Sequence, residues 1–181
     1  MPAPTPYDEV TYPGWPFPQA QPDRLATLAR LFGMAPADPA NCRVLELGCG
    51  DGGNAMAVAC SWPGSRVVGV DLAPGAIARG RALAAEAGIA NVDLRVGDIA
   101  RLPADLGEFD YVVAHGVYSW VPEPVRAALL DACRRFLAPH FPQEDAARVR
   151  PVPTFCLCST NSARQNSTGK KPRTMAERRK C

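Results

Sequence analysis

Apolar positions along this chain fall into two rhythms. From Asp23 they recur at helical spacing through Leu25, Leu28, Ala29, Leu31 and Phe32. Asp23 is placed to cap this helix, and Gly33 and Pro36 to end it. Short apolar runs bounded by turn residues follow. Arg43–Leu47, Arg66–Asp71, Val92–Val96 and Phe109–Ala114 read as buried strands. Between and after them the helical rhythm returns. Ala55–Ser61 stops before Pro63 and Gly64, and Pro74–Ala87 has proline near its start and Gly88 at its end. Val125–Leu137 carries Leu129, Leu130, Cys133, Phe136 and Leu137. Strands alternating with helices at this interval predict an α/β fold, an open doubly wound parallel sheet. Such sheets bind ligands beyond the carboxyl ends of their strands. The residues that follow Leu47, Val70, Val96 and Ala114 are therefore where chemistry is expected.

The two ends of the chain break the rhythm. Residues 1–22 carry seven prolines, with Tyr7, Tyr12, Trp15 and Phe17 among them. Proline forbids helix and central strand, so this is an extended arm. Two readings stay open: its aromatics pack on the domain surface, or they form a lid over a ligand pocket. At the other end, the polar and basic run from Arg164 reads as a solvated tail. With no aromatic platform interleaved, it is a poor nucleic-acid arm.

Composition narrows the class. The 181 residues are 47% apolar and 21% charged with a formal net charge of +2, which is globular composition without a strong pull toward nucleic acid or anionic membrane. No apolar run reaches the roughly 18 residues that span a bilayer, and Met1–Tyr7 lacks the basic start and apolar core of a signal peptide. Residues 1–139 hold 11 Arg, no Lys and 15 acidic residues, a net of −4, whereas residues 140–181 hold nine basic and three acidic, a net of +6. The seven cysteines form no CxxC pair and only two histidines exist, so no zinc site is expected. An odd cysteine count without a secretion signal points to reduced thiols in the cytoplasm.

The strand ends carry the informative residues. After the first strand, Gly48, Cys49, Gly50, Gly52 and Gly53 form a loop that lets a ligand approach the backbone, ahead of a helix N-terminus. The loop contains a GxGxxG, the weak signature of a dinucleotide site. Glu46, two residues before Gly48, would repel a phosphate and suits an ammonium or sulfonium charge instead. Asp71 ends the second strand, where an acid can accept from both ribose hydroxyls; the bland alternative is a cap ahead of Pro74. Asp98 can accept from an exocyclic adenine amine with Ile99 on the ring face, or can simply make a surface turn. His115, Tyr118 and Trp120 follow the fourth strand as site candidates by location.

Together, ELGCGDG, VVGVD, GDI and FDYVVAHG resemble a class I S-adenosylmethionine-dependent methyltransferase. YDEVTYPGWPFPQAQPDRLATLARLFG and HGVYSWVP resemble a bacterial subgroup in which that domain precedes a methyltransferase regulatory domain. The resemblance spans roughly residues 7–139. It implies a Rossmann-like fold with S-adenosyl-L-methionine as cofactor. Gly48, Gly50 and Gly52, with Cys49 among them, would line the methionine part, and Glu46 would help place the loop and the amino group. Asp71 would hold the ribose with Leu72 beside the adenine, Asp98 and Ile99 would hold the adenine, and Ala114 and His115 would flank the methionine end.

The family sheet has seven strands in the order 3-2-1-4-5-7-6, and only the 3-2-1-4 half is legible here. Thr154–Cys158 is the single strand-like piece beyond Pro139; pairing on the exposed edge of the fourth strand is open to it, but the expectation is that the later strands are missing. The expectation is thus an arm (1–22), a partial cofactor-binding domain (23–139) and a tail outside the family pattern (140–181), the product of a truncation or shifted reading frame. The fourth strand would then be an unpaired apolar edge that invites aggregation. The implied activity is methyl transfer to an unassigned acceptor, small molecule or protein. His115 is the nearby group with a suitable pKa range for a base, though no catalytic residue is fixed. No Asp/Asn-Pro-Pro-aromatic motif follows the fourth strand, which weakens exocyclic amine methylation. The competing readings are a non-catalytic cofactor-binding remnant and an NAD-dependent dehydrogenase.

Overall fold

The computed structural model describes residues 14–138 and 155–158. Its elements run α1 (Pro22–Leu31), β1 (Arg43–Leu47), α2 (Gly53–Ser61), β2 (Arg66–Asp71), α3 (Pro74–Glu86), β3 (Val92–Val96), β4 (Tyr111–His115), α4 (Glu123–Phe136) and β5 (Phe155–Cys158). The sheet order is β3-β2-β1-β4-β5, with all neighbours parallel.

The expected 3-2-1-4 half is present. The expectation that no later strand follows is corrected: β5 pairs along β4 from Val112↔Phe155 to His115↔Cys158. The apolar fourth strand is therefore internal, as its sequence demands, and not an open edge. It starts at Tyr111 and not at Phe109, because Phe109 is diverted. Its N–H donates to the carbonyl of Phe136 (2.7 Å) and its carbonyl accepts from Ala138 N–H (2.8 Å), which ties the end of α4 to the base of the sheet.

The strands bury alternate residues on opposite faces, as their period of two requires. Val44, Val67, Tyr111 and Val113 face one core with α1, α2 and α3. Leu45, Leu47, Val68, Val70, Val112 and Ala114 face the other, with Leu129, Ala132, Cys133 and Phe136 of α4. Each fully buried leucine contributes about 1.5–3 kcal/mol. Asn91 stitches the first layer: its side-chain amide donates to the carbonyls of Ala59 (3.0 Å), Trp62 (3.3 Å) and Ser65 (3.1 Å), closing the end of α2.

One start signal fails. Helix α1 begins at Pro22 with Gln21 as its N-cap and no side-chain capping bond, so Asp23 lies inside the first turn. Proline is preorganised for that first position, and Asp23 still faces the positive end of the helix dipole.

Candidate functional site

Glu46 lies in β1 one residue before its end, pointing toward α2 and almost fully buried (4% exposed). Its Oε1 accepts from Asn54 Nδ2 (3.1 Å), while Oε2 is buried with no hydrogen-bond partner among the described residues. Burial pushes its carboxyl up to about 8, the neighbouring charges of Asp71 and Asp51 add to the rise, and the Asn54 amide and the Ala55 backbone N–H offset part of it. A carboxylate in this state is incomplete. A cation delivered to Oε2 would satisfy the orphan oxygen and stabilise the charge at once.

The loop beyond β1 is pinned to β2. Gly48 and Cys49 donate to the carbonyl of Val70 (2.8 and 3.2 Å), and Gly50 N–H donates to Asp71 Oδ2 (2.8 Å). Gly48 has φ +71 and presses on Val117, so a side chain would collide there. Gly52 has φ +79 and is the N-cap of α2; a Cβ on it would meet Leu94 Cδ1 at 2.6 Å. Burial, together with the charges of Glu46 and Asp71, drives the Cys49 thiol well above its ordinary range, so it stays protonated and unreactive.

Asp71 uses each oxygen once for backbone: Oδ2 for Gly50 and Oδ1 for Ala73 N–H (2.9 Å). Each oxygen keeps a free lone-pair direction. It does not cap α3, whose N-cap is Ala73, so the capping alternative is excluded. Asp98 does make a turn, accepting from Ala100 N–H (2.9 Å) at the head of a single 3-10 turn, Ile99–Arg101.

These groups converge on one cavity of about 590 Å3 at the carboxyl ends of β1, β2, β3 and β4. Glu46, Gly48, Cys49, Gly50, Asp71, Leu72, Asp98, Ile99 and His115 all line it. Gly52 does not. Its φ of +79 at the N-cap lets the loop turn into α2. Ala114 is buried in the second core, away from the cavity lining. Trp120 lines the mouth, whereas Tyr118 packs on the second core and lies under the Arg126 guanidinium at 5.4 Å.

His115, the last residue of β4, has both ring nitrogens buried without partners among the described residues. Burial lowers its pKa, so the imidazole is neutral near pH 7 and able to accept a proton. The Phe17 ring stacks on it, with centroids 3.6 Å apart. This contact brings in the arm. Gly14, Trp15 and Phe17 line the cavity, Gly14 N–H donates to Asp51 Oδ2 (3.3 Å), and Phe17 N–H donates to Asn54 Oδ1 (2.8 Å). The described part of the arm therefore lies over the pocket. Tyr7, Tyr12 and the whole basic run from Arg164 lie outside the described residues.

Sequence reasoning missed Asn54, Asp51 and Arg79 as cavity residues. Asn54 had a signal: it is the one polar side chain at the start of an otherwise apolar helix.

The geometry agrees with what similar proteins are. Residues 44–140 match a family model described as a methyltransferase domain. That span is more than half of the chain and contains every residue the strand ends nominated. The chain belongs to the methyltransferase-domain family. Protein RP028 of Rickettsia prowazekii is 39% identical over 134 residues, covering 74% of this chain and 54% of that protein. The structure of PKMT2 from Rickettsia typhi in complex with AdoHcy superposes with a TM-score of 0.69 at 38% identity, over 72% of this chain and 25% of that one. Trans-aconitate 2-methyltransferase of Streptomyces avermitilis is 35% identical over 88 residues, 48% of this chain and 32% of the enzyme. The methyltransferase domain described here thus spans about half or less of these relatives. Its family membership resolves the ambiguity of the glycine loop, which fits a dinucleotide by pattern but carries Glu46 where a phosphate would be repelled.

Proposed function

We propose that this chain binds S-adenosyl-L-methionine and transfers its methyl group to an acceptor nucleophile. The observation that carries the reading is the orphan Glu46 Oε2, buried beside the Gly48–Gly50 loop in the same cavity as Asp71 and Asp98. The residues fit the cofactor. Glu46 meets the amino group, the side-chain-free backbone of Gly48 and Gly50 lies along the methionine part, Asp71 takes the ribose hydroxyls, and Leu72, Asp98 and Ile99 hold the adenine. The cofactor supplies a methyl already activated by its sulfonium. The chain's contribution is then to hold the acceptor in line and to exclude water. Where the acceptor must lose a proton, the neutral His115 imidazole is the group placed to receive it. The acceptor is a small molecule or a protein side chain.

The subgroup with a following regulatory domain is part of the same proposal, supported by the much longer Rickettsia typhi relative. Cytoplasmic location is proposed from the free thiols of Cys42, Cys49, Cys60 and Cys133. Among the described residues no helix is long and apolar enough to cross a membrane.

A thermal-shift comparison tests the function. S-adenosylhomocysteine at a hundredfold excess over its Kd should stabilise the fold by about 2.7 kcal/mol, a rise of roughly 5–10 °C. NAD should leave the midpoint unchanged. A rise with NAD and none with S-adenosylhomocysteine overturns the reading.

A further inference from the structure

Asn54 is buried at the start of α2, between Glu46 of β1 and the arm residues Phe17 and Gln21. Its Nδ2 donates to Glu46 Oε1 (3.1 Å), and its Oδ1 accepts from Phe17 N–H (2.8 Å) and Gln21 Nε2 (3.3 Å). The orientation of this amide is not free. A flip would set its NH2 against the Phe17 N–H and its oxygen against the Glu46 carboxylate. The arm is also seated tightly: a Cβ on Gly53 would lie 2.6 Å from the Gly14 carbonyl.

We propose that Asn54 is a positioning residue that couples the amino group of a ligand at Glu46 to closure of the Gly14–Gln21 arm over the cavity. This rests on the cofactor reading above. An ammonium at Oε2 holds Glu46 ionised, and a hydrogen bond to an ionised acceptor is shorter and roughly twice as strong as a neutral one. The strengthened Nδ2–Oε1 bond polarises the same amide at Oδ1, where the arm is latched, because linked hydrogen bonds reinforce each other. Ligand binding and arm closure must then favour each other by the same factor. The arm in turn carries Phe17 onto His115 and Trp15 onto the rim.

The test uses the full chain and reads the arm directly. Pro16 and Pro18 have no N–H, so the segment from Gly14 to Pro18 has only the amides of Gly14, Trp15 and Phe17, and Phe17 can be followed by hydrogen exchange. Two probes are compared at equal saturation: S-adenosylhomocysteine, and its desamino analogue, which differs only in lacking the ammonium. S-adenosylhomocysteine should slow exchange at Phe17 at least tenfold more than the analogue does. In Asn54→Asp, which keeps an acceptor for Phe17 but loses the donor to Glu46, the difference between probes should vanish. In Asn54→Leu both the latch and the difference should be lost, with exchange at Val58 in α2 reporting that the fold is intact. Equal slowing by the two probes, no slowing by either, or a tenfold difference that survives in Asn54→Asp overturns the coupling. If S-adenosylhomocysteine fails to bind the wild-type chain at all, the functional reading falls with it; if it binds without slowing Phe17, only the coupling falls.

Discussion

Glu46 is a carboxyl held far from its ordinary environment. Buried beside Asp71 and Asp51, its carboxyl rises from 4.5 to about 8. Between those values the folded chain holds a proton that the unfolded chain has released, so this group makes stability fall as pH rises, with the loss complete above about 8. His115 works the other way. Its depressed pKa leaves the unfolded chain holding the extra proton below 6.5, so its contribution grows as pH rises to that value. From pH 6.5 to 8 the Glu46 contribution is therefore the larger of the two. Across it the ligand-free wild type should lose about 2 kcal/mol, and Glu46→Gln should remove that loss. Urea titrations of both proteins at the two pH values measure it. The chemical logic of Glu46 was legible in the sequence, since an acid two residues before a glycine loop suits a cationic group better than a phosphate. Its partner was not. Asn54 and Phe17 meet across 37 residues, and nothing local announces a contact between a proline-rich arm and a helix start.

At the scale of elements, the strands and helices from β1 to α4 were legible to within about two residues because each is bounded by its own glycine, proline or apolar rhythm. The glycine loop and Asp71 could be placed for the same reason, since strand, turn and helix are contiguous there. Two features escaped. Helix α1 starts on Pro22 and not on an Asp23 cap, because proline at the first turn competes with a side-chain cap for the same role. Strand β5 looks like a strand by itself, but its place beside β4 depends on a crossover that no short window contains. It matters to the sheet. Val112, Val113 and Ala114 are buried, and their strand hydrogen-bonds on both sides. A chain shortened to residues 1–138 should expose that edge and self-associate, whereas the full chain stays dispersed. Light scattering at matched concentration would show it; equal scattering would mean that β5 does not protect the edge.

Across the whole molecule, two cores on opposite faces of the sheet hold up one site at its rim. The cavity walls come mainly from the loops at the strand ends, and the arm supplies its cover. Stability and ligand recognition are therefore largely separable. Leu129 is fully buried in the second core and does not line the cavity. Leu129→Ala should cost about 2–5 kcal/mol. The additional rise in midpoint produced by S-adenosylhomocysteine should be the same as in the wild type, and a differential scan of both proteins with and without ligand checks this. A variant that lost the ligand increment along with its stability would show that α4 shapes the pocket through more than its packing.

The stacking of Phe17 on His115 also has a spectroscopic meaning. A benzene ring 3.6 Å above an imidazole places the carbon-bound protons of that imidazole in the shielding cone of the aromatic ring current. The chain has only two histidines, His115 and His140, so its imidazole proton resonances are few and separable. The resonance displaced upfield belongs to His115, and its return downfield marks each departure of the arm from the pocket. The molecule thus carries its own unlabelled magnetic gauge of whether the site is open or shut.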